Sequence, residues 1–448
     1  MAADVVIIGA GVSGLSVAFR LQQQGISSQV LEREAVIGGR AKTFQYEDFR
    51  VDLSAQFLVG FYKHIFKLID DVGLHDQVMK IPDGISIVEN GKAHKIRPLP
   101  LMLGNLLPIT GRIRLAIASL NALLFHSKEL NVDDILLSAP LDTESALTYG
   151  RSHLGQAVVD YLVAPIFQGF FYWDVATTSK AILFFLLRYA AELRLLTLKG
   201  GIGMLPVALA EKLTTKPLTS ADVPKIHYDE ASQLWRTTYL QGGAEHTIES
   251  RAVVCSVPAT YVTKMCTQME ATAVTFFINI QYPINTTVHL FFDQRFDVPP
   301  FSHIFYPPKD IKTIAGLVIQ SQKDPVEIPP GKEVISIFPG TQLSEELAGK
   351  SDEEVTEIIL QSCANLPLLS DLPLRQHLIH SKVVRVRRAL PVVDVGYIKE
   401  LEVFQDNLSQ QMPPGLFFAG DFLENPSLEG AVVSGESILL KVAQFLQK

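Results

Sequence analysis

Cysteine is scarce. Three residues in 448, Cys255, Cys266 and Cys363, lie far apart and form no C-x-x-C pair. That excludes a disulfide framework and favours a reducing, cytoplasmic setting, with each thiol read as a small buried apolar group. There is no H-E-x-x-H helix and no G-x-S-x-G elbow, so neither a resident metal nor a hydrolase triad is predicted. Basic runs interleaved with aromatics are missing too, and a net charge of −8 gives nucleic acid no electrostatic reason to bind. No unbroken apolar stretch reaches the roughly 18 residues of a membrane span. Apolar strand residues begin right after Met1-Ala2-Ala3, so no cleaved leader is expected.

Apolar residues, at 48%, exclude a disordered chain, and 448 residues exceed one ordinary core, so two joined domains are expected. The most informative stretch comes first. Asp4-Val5-Val6-Ile7-Ile8 reads as a buried parallel strand, Gly9-Ala10-Gly11-Val12-Ser13-Gly14 fits G-x-G-x-x-G, and residues 15–24 read as a helix stopped by Gly25. A second strand ends at Glu32. Gly9 permits the tight turn, Gly11 lets backbone approach a pyrophosphate, and Gly14 lets helix and strand pack closely. The helix start, with Val12 and Ser13, offers free N–H groups to phosphate, and Glu32 stands where a carboxylate accepts ribose hydroxyls.

The residues just after this acid narrow the choice of dinucleotide. Glu32-Arg33 to Gly38-Gly39-Arg40 resembles the continuation found in FAD enzymes of the amine oxidase superfamily, which includes amine oxidases, protoporphyrinogen oxidases and phytoene-type desaturases. Asp52-Leu53-Ser54-Ala55-Gln56-Phe57 resembles that family's D-L-G-A segment, with Ser54 in place of a glycine. Lys199-Gly200-Gly201 to Pro206, the arginine-rich stretch 383–396, and Gly420-Asp421 with Leu428-Glu429-Gly430-Ala431 resemble its later motifs. Residues 162–174, which contain Phe170-Phe171-Tyr172-Trp173-Asp174, are similar to a segment of protoporphyrinogen oxidases.

The resemblance implies an α/β fold, α+β overall: a Rossmann-like FAD domain built from 1–80, 196–270 and 376–448. A substrate domain of mixed sheet and helices, 81–195 and 271–375, is interleaved with it. It implies non-covalent FAD held by Gly9, Gly11, Val12, Ser13, Gly14, Glu32, Arg33, Gly38, Gly39, Arg40, Gln56, Val223, Gly420, Asp421, Glu429, Gly430 and Ala431. The pocket expected from it uses Phe57, Phe170, Tyr172, Trp173 and Leu428. A helix opening near Glu429 would set its positive end against the flavin, where negative charge develops on reduction.

Chemistry of this kind needs no side-chain triad, because the cofactor carries it, and no acid–base residue is singled out. The strand pattern 280–290 lacks the lysine of amine oxidases, and Leu428 stands in the place of a cage tyrosine. The expected substrate is therefore a bulky lipophilic molecule, porphyrinogen-like ahead of a polyene or an amine, with O2 or another electron acceptor. An NAD dehydrogenase and a non-redox flavoprotein are the rivals from other classes. A monomer or homodimer is expected.

Elsewhere, Asn90-Gly91 predicts a hairpin over 84–95, residues 273–292 read as alternating strands, and Ser351 opens a helix to Cys363. Residues 246–249 and 252–258 read as two strands. The apolar segments 98–126 and 181–198 read as buried helices walling a pocket; the other reading is a patch peripheral on a membrane.

Overall fold

Strand Ala3–Ile8 sits inside a six-stranded sheet. The computed structural model describes residues 3–82 and 84–447, without the side chains of Ser409 and Gln411. On one side this strand runs parallel to Ser28–Leu31, with Val5 opposite Ser28, and on the other parallel to the end of Ala244–Cys255. Val5, Val6 and Ile7 are wholly buried, since apolar layers cover both faces. This is what an uninterrupted β-branched run specifies. Helix Val12–Gln23 packs on one face beside Leu428–Ser437 and Met204–Lys212. Leu416–Phe418 adds a short parallel strand along Val253–Cys255.

Ala244–Cys255 is one strand, not the two expected. Its first part pairs antiparallel with Leu234–Gln241 and its last residues join the parallel sheet, so one continuous backbone serves both ladders.

A second, seven-stranded sheet runs in the order Leu378–Val386, Asn285–Phe292, Glu333–Pro339, Ile314–Ile319, His303–Phe305, Ile85–Glu89, Lys92–Lys95. Its last two strands form the expected hairpin, turning at Asn90 and Gly91 with φ of 49° and 74°. The helix Asp352–Cys363 carries the expected capping box from Ser351 and Glu354. Residues 271–279, by contrast, are a helix, Ala271–Asn279, rather than a strand. Ala273, Phe276 and Phe277 fall on one helical face and are buried; Phe276 stacks on Phe404 at 4.2 Å and Phe277 meets Phe418 at 4.9 Å. Tertiary packing overrides the β-propensity of Val and Thr here.

A buried ion pair joins the two-stranded hairpin of Thr43–Tyr46 and Phe49–Asp52 to the short helix Gln320–Lys323 that follows a strand of the second sheet. Lys323 Nζ lies 2.6 Å from Asp52 Oδ2, both side chains being 2% exposed. The other carboxylate oxygen accepts from Thr43 Oγ1 at 2.7 Å and from the Ile202 N–H at 2.8 Å.

The two apolar segments differ. Helix Lys180–Tyr189 buries Ala181 to Phe185 and Leu187, as expected, but the segment's end, Leu195–Leu198, is a strand and not helix. Helices Pro98–Leu103 and Ile109–Phe125 do not behave as buried helices: Leu103, Ile109, Ile117, Leu124 and Phe125 are all more than 60% exposed. One face of this pair packs inward while the other stays uncovered. Among the described residues no helix is long and apolar enough to cross a membrane.

Candidate active site

The glycine turn does what its spacing requires. Gly9 has φ +105°, and a Cβ on Gly14 would lie 2.1 Å from the Gly9 carbonyl oxygen, so helix and turn touch with no room for a side chain. Gly11 faces open space, and Gly38 bridges to it. The helix behind has no side-chain cap, and among the described residues the hydroxyl of Ser13, which is itself buried, finds no partner. This is a cradle of backbone donors with an orphaned hydroxyl at a positive helix end, which suits a diphosphate.

Glu32 comes directly after the second strand. Its Oε2 accepts from the Ala10 N–H at 2.7 Å and its Oε1 from the Glu34 N–H at 2.9 Å. Each oxygen keeps a second lone pair for a ribose hydroxyl. Arg40 forks onto Asp421 through bonds of 2.7 and 2.8 Å and also donates to the Ala389 carbonyl at 2.6 Å. The first and last motifs of the chain are thus joined directly. Tyr261 receives Arg388 Nη1 at 2.7 Å, and Arg33 lies over its ring.

These groups border one cavity of about 1250 Å³. That exceeds the roughly 300–1,000 Å³ of a site for one drug-sized ligand, so it has room for a dinucleotide and a second molecule. Gly9, Gly11, Val12, Ser13, Glu32, Arg33, Gly38, Gly39, Arg40, Gln56 and Val223 line it, with Gly420, Asp421 and Ala431 on the far side. Phe57, Phe170, Tyr172 and Leu428 line its apolar part. Gly14 stands one layer back, and Gly430 is pressed on the Asn425 backbone, 2.0 Å from where a Cβ would be.

Besides Gly14 and Gly430, two more predicted site residues, Glu429 and Trp173, are absent from the cavity walls. Glu429 is wholly buried, and its carboxylate accepts from the N–H groups of Lys63, His64 and Ile65 at 2.6 to 2.8 Å. It satisfies the orphan donors at the start of helix His64–Asp71 and is not among the cavity walls. Trp173 stacks on Phe171 at 4.8 Å and joins the core; the chain turns away after Tyr172, which holds φ +62°. Phe171 lines the cavity instead.

Sequence reasoning missed several residues. Arg97 and Arg188 line the chamber beside the apolar helices, and His303 is set into its wall. His289 and His303 are both fully buried, and burial pushes both imidazoles down to about 3, with Lys323 adding to the effect. Isolated histidines carry no spacing signal; only the sheet register aligns them. His289 lies opposite Ser336, Ser336 opposite Val318, and Val318 opposite His303, so all four side chains project from one face.

Comparison with known proteins agrees with this geometry. The model of the family described as flavin containing amine oxidoreductase matches residues 12–438. Protoporphyrinogen oxidase 2, chloroplastic/mitochondrial, of Arabidopsis thaliana is 22% identical, covering 99% of this chain and 94% of its own. A solved chain from Exiguobacterium sp. 255-15 assigned to the protoporphyrinogen oxidases superposes with a TM-score of 0.78 at 19% identity, over 99% of both chains. Cyclohexylamine oxidase from Brevibacterium oxydans IH-35A gives 0.74 at 17%, over all of both. The cradle, the Glu32 carboxylate and this match lead to one assignment: the chain belongs to the flavin-containing amine oxidoreductase family, as an FAD-dependent oxidoreductase.

Proposed function

We propose that the protein oxidises a bulky apolar substrate carrying carboxylates, a tetrapyrrole precursor of the porphyrinogen type. FAD, when bound, would supply the two-electron acceptor for a hydride leaving a substrate carbon. The cradle of Gly9, Gly11, Gly38 and Gly39 and the Glu32 carboxylate hold the cofactor non-covalently. The Phe57, Phe170 and Tyr172 side chains hold the substrate skeleton out of water. O2 or another electron acceptor would complete the cycle.

One observation carries this reading: the distribution of charge along the cavity. Its acidic residues are Glu32, Glu34, Asp222 and Asp421. The first three gather around the second strand, where the Ser220 and Ala221 N–H groups donate to the Glu34 and Glu32 carbonyls, and the fourth is committed to Arg40. Among the described residues, the apolar chamber therefore presents no carboxylate to an ammonium. Burying an ammonium there without a partner is costly. The chamber has Arg97 instead, suited to an anionic rim, while Arg188, which also lines it, is already paired with Glu192 at 2.9 Å. Lys323, the buried lysine near this region, is held by Asp52 and is not among the cavity walls.

Anaerobic stopped-flow checks this. A protoporphyrinogen or coproporphyrinogen is expected to bleach the flavin much faster than benzylamine or a polyamine. Rapid reduction by amines alone would return the protein to the amine oxidases proper.

The exposed apolar face of Pro98–Leu103 and Ile109–Phe125 supports peripheral contact with a membrane. Leu101, Met102, Leu115 and Leu120 of the same helices reach the chamber, so a lipophilic substrate would enter beside that surface. Changing Leu103, Ile117 and Leu124 together to Ser is expected to reduce co-flotation with neutral phospholipid vesicles severalfold while leaving FAD content unchanged. Equal flotation of the two proteins would remove membrane contact from this reading.

A further inference from the structure

Arg388 is a cation held in place without a counter-ion. It lies just past strand Leu378–Val386, borders the cavity and is partly buried. Its Nε donates to Thr260 Oγ1 and its Nη1 to the Tyr261 hydroxyl at 2.7 Å, with the guanidinium 4.0 Å from the centre of the Tyr261 ring. Both acceptors are neutral, and among the described residues no carboxylate pairs with this arginine. Its Nη2 finds no acceptor there and is not sealed in the interior. A guanidinium that is partly desolvated and fixed in direction, with its charge unmatched, calls for an anion.

The groups that hold Arg388 place it beside the glycine cradle. Ser256 Oγ lies 2.9 Å from both the Ile8 and the Gly9 carbonyl oxygens, so the segment after it is anchored on the turn. Thr260 and Tyr261 follow at once, in the first turn of helix Ala259–Met265. On one side Arg33, next to Glu32, lies over the Tyr261 ring. On the other, the carbonyl of Ala389 accepts from Arg40. The Tyr282 phenol reports the same grouping. Burial pushes it up, Asp421 adds to this, and the Arg40 and Arg388 guanidiniums oppose it, so all three charges stand near one ring. Arg388 is thus bracketed by Glu32 and by the pair of Arg40 with Asp421, along the edge of the cradle.

The cradle itself has little positive charge to offer. A helix end supplies about half an elementary charge, and Arg40 is already matched by Asp421. A diphosphate bears negative charge on each of its phosphates. Lys42, Lys264 and Arg387 also border the cavity, but among the described residues no side-chain bond fixes them. We propose that Arg388 binds the diphosphate of FAD, with its planar fork directed by Thr260 and Tyr261 onto the phosphate oxygens. Arginine suits this because parallel N–H groups match two oxygens at once. The bound anion also ties the end of strand Leu378–Val386, in the second sheet, to the cradle on the first. The inference concerns the cofactor and holds whatever the substrate is.

Equilibrium dialysis against FAD at low and high salt tests this, with the unfolding midpoint measured for each protein. Arg388→Met keeps most of the bulk and loses the charge; Arg388→Lys keeps the charge and loses the fork. At low salt Arg388→Met is expected to bind FAD about tenfold more weakly or worse, since a charge-assisted bond is lost. Arg388→Lys should fall between it and the wild type. Added salt should weaken FAD binding by the wild type and by Arg388→Lys more than binding by Arg388→Met, which has no ion pair left to screen. An arginine that only supports the fold gives another pattern, weaker FAD binding with the wild-type response to salt. That result overturns the proposal, as does undiminished affinity in Arg388→Met. Should the Met variant fail to fold, Arg388→Gln gives the same comparison.

Discussion

Lys323→Met is expected to be the most damaging single change to stability. It removes the partner of Asp52 Oδ2 and leaves a carboxylate that is 2% exposed with an unmatched charge. Breaking one side of a buried pair costs about 3–5 kcal/mol, because the remaining ion keeps its desolvation penalty and loses its compensation. Asp52 cannot move toward water, since its other oxygen is held by Thr43 and by the Ile202 N–H, and a Cβ on Gly201 would come within 2.7 Å of it. The double variant Asp52→Asn with Lys323→Met replaces the charge by a neutral amide and should recover part of the loss. Chemical denaturation of the holoprotein measures both. A single variant as stable as the wild type would mean that the pair contributes nothing to holding the Thr43–Asp52 hairpin against helix Gln320–Lys323.

Glu32→Ala is expected to have the largest effect on cofactor retention. The carboxylate is positioned to accept from the ribose, and charge-assisted bonds of this kind are each worth roughly 1.5–3 kcal/mol. It also orders the turn through the Ala10 and Glu34 N–H groups. FAD affinity should fall by at least about tenfold for each ribose bond lost. Glu32→Gln keeps one acceptor oxygen and should fall between. Equilibrium dialysis against free FAD reads the series, and undiminished affinity in Glu32→Ala would take Glu32 out of the ribose site.

The parts of the fold legible in the sequence are those fixed by local backbone geometry. Gly9 and Gly14 can be read because a close approach leaves no alternative residue, and the Asn90-Gly91 turn because both positions need positive φ. Glu32 is placed by counting along a strand. What the sequence hid depends on partners far away. Glu429 belongs to a cofactor motif by resemblance, yet its carboxylate is taken by the backbone of Lys63, His64 and Ile65. The helix Ala271–Asn279 looks like a strand until Phe404 and Phe418 are there to receive its aromatic face. Trp173 and Phe171 are two residues apart, and only the left-handed turn at Tyr172 decides which one sees the cavity. His303 has no motif; only the register of the second sheet sets it into the cavity wall. Leu103, Ile117 and Leu124 show the opposite failure, since apolar composition predicts burial and says nothing of a face left uncovered.

The bond between Arg40 and Asp421 also sets a timetable. The two residues are separated by 381 positions, and Leu416–Phe418 must arrive to cover the open edge of Val253–Cys255. At about 5–20 residues per second, a ribosome takes roughly 20–80 s to pass from the first motif to the last. During that interval Arg40 has no counter-ion and the nucleotide cradle lacks its far side. Flavin capture is therefore a late event in biosynthesis, after nearly the whole chain has emerged. In a cell short of flavin the unliganded form would be full-length apoprotein rather than stalled fragments, and its lower stability would make the abundance of the enzyme track cofactor supply.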